Sequence, residues 1–163
     1  MFSLEIETLA RLLIDDARER SLRIVTAESC TGGLVAAAIC AVPGASDVFE
    51  RGFVAYTNRA KQEQLGVSGD LIADLGAVSE PIARMMAEGA LEASHAHIAV
   101  SITGVAGPGG GTPMKPVGTV HLATARANQS VHHRHEVFEF ETRWEVQMAA
   151  VQTALEMLRD RIR

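Results

Sequence analysis

The segment Thr26-Ala27-Glu28-Ser29-Cys30-Thr31-Gly32-Gly33 joins the run Leu22-Arg23-Ile24-Val25 to Leu34-Val35-Ala36-Ala37-Ala38-Ile39. β-Branched residues before it and a small-residue helical pattern after it predict a strand, a polar glycine-bearing turn and a helix. Such a turn places side chains at a sheet edge beside backbone N–H groups that lack intrahelical partners and carry the positive end of the helix dipole. Those groups can receive an anion or a developing oxyanion. Ser29 stands in the turn, where a nucleophile would be needed. Serine and threonine are also ordinary helix caps, so the spacing alone leaves a purely structural Ser29 open.

Lys61 is the second residue with chemical use. Residues 48–56 read as a strand rich in β-branched and aromatic side chains, and Asn58 then reads as the N-cap of a short helix through Leu65, ended by Gly66. Lys61 falls at the third position of that helix. The dipole there disfavours added positive charge, and partial burial would lower the lysine pKa further. A lysine acts as a general base only when it is neutral enough to accept a proton. The alternative is a solvated surface lysine.

A second glycine-rich turn, Thr103-Gly104-Val105-Ala106-Gly107-Pro108-Gly109-Gly110-Gly111, follows the apolar run 97–102. Glycine permits close backbone approach, so this loop can wrap a phosphate or ribose. It lacks the Gly-Lys-Ser/Thr ending of a P-loop and opens no helix, and a flexible surface connection fits it equally. His132, His133 and His135 suggest metal ligation, but strand alternation puts His133 and His135 on one face and His132 on the other. A solvated strand face is the better reading, and no metal site is expected.

The elements that must position these residues follow in chain order. Ser3 caps a first helix with Ile6, Leu9, Leu12 and Leu13 at helical spacing, and a strand spans residues 22–27. A helix ends near Val42 at the Pro43-Gly44 stop, and a short helix runs over 70–74. Ser79 and Glu80-Pro81 open a long helix to about Ala93. Lys115-Pro116-Val117-Gly118-Thr119-Val120 begins a strand to about Thr124, which residues 131–140 join as a hairpin about Asn128-Gln129-Ser130. Thr142 and Glu145 make a capping-box pattern for a last helix, with Trp144, Met148, Val151, Leu155, Leu158 and Ile162 as its apolar stripe. Strand–helix alternation followed by a hairpin and helix predicts a single α/β domain: a three-layer α/β/α sandwich with a mixed, mostly parallel sheet.

The 163 residues suit one domain with a substantial core. Fifteen basic against twenty acidic residues give a net charge of −5, which argues against a general nucleic-acid binder. No apolar run approaches the roughly 20 residues of a membrane span, and the N-terminus lacks signal-peptide order. Cys30 and Cys40 lie on the order of 15 Å apart if helix separates them, beyond disulfide reach. Reduced thiols and a cytoplasmic location are expected.

Set side by side, residues 27–33, residues 49–61, and residues 103–110 with 115–120 closely resemble the CinA C-terminal domain family, the nicotinamide-nucleotide amidases. Gly76-Ala77-Val78-Ser79-Glu80-Pro81 looks like that family too, and the resemblance runs from about residue 5 to 160. It implies a cofactor-free, metal-free amidohydrolase that converts nicotinamide mononucleotide to nicotinic acid mononucleotide and ammonia, in pyridine-nucleotide salvage. It also implies a Ser-Lys-Tyr catalytic group, matched here by Ser29, Lys61 and Tyr56. Ser29 would attack the carboxamide carbon, with Lys61 as base directly or through Tyr56. Amides around Thr31, Gly32 and Gly33, or those of Thr103 and Gly104, would hold the oxyanion, leaving Thr31 able to cap the helix. Glu28, Arg51, Asn58, Lys115 and the loop glycines, Gly107 and Gly109 among them, are candidates for substrate contacts.

The resemblance further implies a homodimer acting on a small-molecule nucleotide. Longer CinA proteins carry an added N-terminal domain, whereas this sequence starts directly at the amidase-like helix. The chain departs from the family where a Phe-x-Gly-Asp-Arg segment and a second arginine four residues on are common. It has Phe138-Glu139-Phe140-Glu141-Thr142-Arg143, with Gln147 at the later position. Two other functions therefore stay open: the same chemistry on another small amide or nucleotide, and a non-catalytic nucleotide-binding or interaction domain linked to competence or DNA damage. Cys30 is an alternative nucleophile, because thiolates are intrinsically reactive.

Overall fold

A computed structural model describes residues 1–163. Helix α1 (Leu4–Glu19) starts where Ser3 Oγ accepts from the Ile6 N–H. It buries Ile6, Ala10, Leu13, Ile14 and Ala17, which share one side at helical spacing. Strand β1 (Ile24–Glu28) is buried at all five positions and leads through the 29–33 turn into α2 (Leu34–Cys40). A 3-10 turn (Ala45–Asp47) precedes β2 (Phe49–Val54), and α3 (Asn58–Leu65) and α4 (Gly69–Leu75) follow. Next come α5 (Glu80–Glu92), β3 (Ile98–Gly104), β4 (Thr119–Arg126), β5 (His132–Val137) and α6 (Arg143–Ile162).

The five strands form one sheet in the order β2-β1-β3-β4-β5. The β1–β2 and β1–β3 pairings are parallel, whereas β3–β4 and β4–β5 are antiparallel. The expected mixed sheet is present, with a parallel core of three strands and an antiparallel flank. Strand alternation divides the interior into two cores. Ile24, Ile98, Val100, Ile102, Val120 and Leu122 meet α1, α2 and α6. Val25, Ala27, Ala99, Ala123 and Ala125 meet the α3–α5 side. The second face is alanine-rich, which lets α5 lie close enough for Ser101 Oγ to donate to the Ala83 carbonyl.

Local details differ from the expectations in two helices. Thr57, not Asn58, caps α3, its Oγ1 accepting from the Ala60 N–H at 3.0 Å. Both residues suit a cap, and the earlier one takes it. Lys61 is consequently the fourth helical residue. The capping box of α6 forms as expected and Val151, Leu155, Leu158 and Ile162 of the expected stripe are buried, but Trp144 is exposed, and Val146, Ala150 and Ala154 join the buried side. That side packs on the sheet and on α1. No helix is long and apolar enough to cross a membrane.

Candidate active site

The chain passes from β1 outward to β2 and then returns to place β3 on the other side of β1. Where strand order reverses in this way, the carboxyl ends of neighbouring parallel strands leave a crevice that suits a ligand. A cavity of about 310 Å³ opens there, lined by Ser29 and Cys30 after β1, Tyr56 after β2, and Thr103 and Gly104 at the end of β3. Lys61 and Asn58 from α3, Arg143 from α6, Ala77 and Val78 before α5, and the 105–110 loop complete it. Its lining holds the Arg143 guanidinium and no carboxylate, so an anionic ligand suits it despite the acidic chain as a whole.

Lys61 is among the largest fully buried side chains, 2 % exposed. Its amine donates to Ser29 Oγ at 2.9 Å and to the Ala55 carbonyl at 3.0 Å. Burial pulls the Lys61 pKa below its ordinary value by penalising the charged form. Ser29 is 8 % exposed, and its N–H is fixed to the Ile102 carbonyl at 2.9 Å, which ties the turn to β3. A hydroxyl and an amine of reduced basicity thus meet at hydrogen-bond distance, the arrangement a nucleophile and its base require.

Tyr56 lines the same cavity and is 54 % exposed, but its hydroxyl accepts from Arg143 Nη2 at 2.7 Å and bonds neither Ser29 nor Lys61. Arg143 also donates to the Gly107 carbonyl at 2.7 Å, linking the start of α6, the glycine loop and the end of β2 across the cavity. Asn58, Thr103, Gly104, Gly107 and Gly109 line the cavity as well. Thr103 Oγ1 donates to the Ala77 carbonyl, so its side chain is structural.

Six expected substrate contacts lie elsewhere. Glu28 is fully buried and its carboxylate accepts from the N–H groups of Gly33, Val35 and Ala36, at 3.2, 3.0 and 2.8 Å. It thereby occupies the start of α2 that the sequence reading offered to an anion. Gly33, at φ 100°, is the N-cap, and Thr31 caps nothing: its Oγ1 is buried without a partner. Gly32 gives its N–H to the Ser29 carbonyl at 3.0 Å, completing the turn. Arg51 sits at the opposite end of the β1–β2 pair, bound to the Glu50 carboxylate and the Ala93 carbonyl. Lys115 donates to the Leu75 carbonyl at 2.7 Å, tethering its loop to the end of α4.

Oxyanion donors must come from amides that are still free. Gly32 and Gly33 are committed, and Thr103 and Gly104 belong to the β3–β4 ladder. The Cys30 and Thr31 N–H groups bond to no backbone carbonyl, and Cys30 directly follows Ser29. The Ala106, Gly107, Gly109 and Gly110 amides of the loop are equally uncommitted. Burial pushes the Cys30 thiol up to about 12, so it stays protonated and unreactive beside Ser29. Both cysteines are free, Cys30 buried and Cys40 exposed.

Sequence reasoning passed over the Ala77-Val78 backbone, which only the packing of α5 brings to the cavity. The three histidines do alternate as expected. His132 meets Arg161, whereas His133 lies within 3.0 Å of His121, whose ring His135 stacks upon.

The same fold recurs in known proteins. A crystal structure of the competence/damage inducible protein CihA from Agrobacterium tumefaciens superposes with a TM-score of 0.95 at 50 % identity, covering 97 % of this chain and 96 % of that one. A CinA superfamily protein from Escherichia coli superposes with a TM-score of 0.89 at 38 % identity, covering 94 % and 88 %. A CinA-like protein of Syntrophobacter fumaroxidans is 43 % identical over 152 residues, 93 % of this chain. Those residues make up 35 % of the relative, so the chain spans about a third of its length. With the CinA C-terminal domain model matching residues 6–162, across every strand and the cavity they build, the chain belongs to the CinA C-terminal domain family.

Proposed function

We propose that this protein is a nicotinamide-nucleotide amidohydrolase that converts nicotinamide mononucleotide to nicotinic acid mononucleotide and ammonia. The observation that carries the proposal is the buried 2.9 Å contact between Lys61 Nζ and Ser29 Oγ in a cavity that Arg143 also lines. The neutral amine of Lys61 takes the Ser29 proton as Oγ attacks the carboxamide carbon. The resulting oxyanion is met by the free Cys30 N–H, the amide next to the nucleophile. Collapse breaks the C–N bond, and Lys61 returns its proton to the departing ammonia. Water then attacks the acyl-Ser29 with Lys61 again accepting the proton, and as the Oγ–C bond breaks Lys61 passes that proton to Ser29 Oγ, releasing the acid product and restoring both groups. Tyr56 needs no part as a relay in this scheme, since Lys61 reaches Ser29 directly. With Arg143, Asn58 and the loop amides it forms the outer cavity, where an anionic phosphate would bind.

Purified protein incubated with nicotinamide mononucleotide is expected to release ammonia, and Ser29→Ala and Lys61→Ala to abolish the release. Robust turnover by both variants would rule out the mechanism. A second reading, the same chemistry on another small amide or nucleotide, is favoured by the altered stretch from Glu139 into the first turns of α6, where Gln147 is spent on the Cys30 carbonyl. Turnover of an amide panel in preference to nicotinamide mononucleotide would establish it.

A further inference from the structure

The turn carrying Ser29 is a hydrogen-bonded reverse turn with Cys30 and Thr31 at its centre, closed by the Gly32 N–H to the Ser29 carbonyl. Such turns have one vulnerable unit, the central peptide plane, whose rotation interconverts turn types without moving the ends of the turn. Here that plane holds the Cys30 carbonyl and the Thr31 N–H, which point opposite ways because the peptide is planar. Thr31 has negative φ, and a rotation to the type II form would force this β-branched residue to positive φ. The remaining freedom is displacement of the tip of the turn as a body, which would carry the Cys30 backbone, and with it the N–H after Ser29, away from the cavity.

One side chain from outside the segment stops that motion. Gln147, early in α6 and 117 residues from Cys30, donates from Nε2 to the Cys30 carbonyl at 2.8 Å. The other carbonyls of the turn are satisfied locally, Ser29 by Gly32 and Thr31 by Leu34. Gln147 itself does not line the cavity and reaches it only through the Cys30 backbone. Resting on the reading of Ser29 as nucleophile, we propose that Gln147 is a positioning residue. It tethers the Cys30 backbone to α6 through its carbonyl and so keeps the Cys30 N–H where the oxyanion forms. Misplacing a preorganised donor costs rate at the chemical step and leaves ground-state binding alone.

The test compares the wild type with Gln147→Met, which keeps length without a donor, and Gln147→Lys, which keeps a donor. The probe is a fluorophosphonate, which is phosphonylated onto Ser29 Oγ as its P–F bond breaks and fluoride leaves, the Ser29 proton passing to Lys61. Its phosphoryl oxygen needs the same donor as the oxyanion, whatever the natural amide. Gln147→Met is expected to lower the labelling rate at Ser29 about tenfold at every pH, with the midpoint of the pH profile unmoved because Lys61 is untouched. Gln147→Lys should recover most of the rate. With nicotinamide mononucleotide, kcat should fall while KM stays within about twofold. If the wild type is not labelled at Ser29, the nucleophile reading fails and this proposal with it. If the wild type is labelled and Gln147→Met reacts at the same rate, or if the midpoint shifts with the rate, the role of Gln147 alone is overturned. Thermal melts of each variant separate unfolding from the effect, and a folded Gln147→Lys as slow as Gln147→Met also overturns it.

Discussion

Lys61 and Ser29 stand 32 residues apart in the chain, yet the amine of one donates to the hydroxyl of the other at 2.9 Å. The strand ends bring them together. β1 and β2 are parallel neighbours, so their carboxyl ends open on the same edge, and α3 turns back from β2 with Lys61 reaching over that edge. The amine also donates to the Ala55 carbonyl, which holds it in place without any carboxylate that would stabilise its charge. Burial without a counter-ion favours the neutral amine, and only the neutral amine can take a proton from Ser29.

The pH dependence of both rate and stability follows from that lowered Lys61 pKa. Amidase activity should rise with pH through it and then level off, below the value of about 10.5 usual for lysine. A pH-independent rate, or one falling with pH over that limb, would contradict Lys61 as base. For stability, folded and unfolded states both hold the proton below the folded-state pKa, and the folded state bears the cost of the buried charge. As pH rises, the folded state loses the proton first, so folding is favoured until the unfolded lysine also titrates. Thermal melts should show the wild type gaining on Lys61→Met as pH rises through this window. Parallel melting curves would refute the argument.

Cys30 and Cys40 should differ sharply towards alkylation. The Cys30 thiol, pushed up to about 12 by burial, presents almost no thiolate at neutral pH, whereas Cys40 is exposed. Iodoacetamide should add once to the folded protein, at Cys40, and twice in denaturant, as read by peptide mass spectrometry. Cys30→Ala should retain amidase activity, and loss of turnover in that variant with its fold intact would return Cys30 to the role of nucleophile.

Glu28 tests the difference between a substrate contact and an internal cap. Its carboxylate satisfies three N–H groups at the start of α2. Glu28→Gln turns an amide NH₂ towards those donors, leaves at least one unpaired and removes an anion from the helix N-terminus. Stability should fall by about 2–4 kcal/mol in urea unfolding. KM of the folded variant should stay within about twofold of the wild type. A variant of unchanged stability and raised KM would make Glu28 a ligand after all.

The parts of the site that were legible in the sequence are those set by local patterns. Strand, turn and helix around Ser29 follow from residues within a dozen positions, and the capping box of Thr142 and Glu145 forms as its spacing demands. What local pattern cannot give is the partner of a polar side chain. Glu28, Arg51 and Lys115 each looked free to meet a substrate, but each is spent on protein: a helix start, a neighbouring carboxylate and a distant carbonyl. Gln147 stood out only as a departure from a family pattern. Its contact with Cys30 depends on how α6 docks, which no spacing records. The Thr57-Asn58 pair shows the same limit at short range, since two adjacent capping residues leave the helix start undetermined by one position.

Gly89 links the packing of the second core to the chemistry. It faces the end of α3, and a Cβ at that position would collide with the Leu65 carbonyl oxygen. The close approach of α5 to α3 at this point fixes the helix from which Lys61 extends, four residues before Leu65. Backbone atoms cannot swing aside as a flexible side chain can, so Gly89→Ala must push α3 away from α5. Overpacking of this kind costs about 1–3 kcal/mol, which should appear as a lower melting temperature. The larger effect is expected on rate, because a shift of α3 lengthens the Lys61–Ser29 contact on which proton transfer depends. At a temperature where the variant is fully folded, kcat should fall by at least about tenfold. A variant that loses stability but keeps wild-type kcat would show that Lys61 is held by its own hydrogen bonds to Ala55 and Ser29, independently of where α3 is packed.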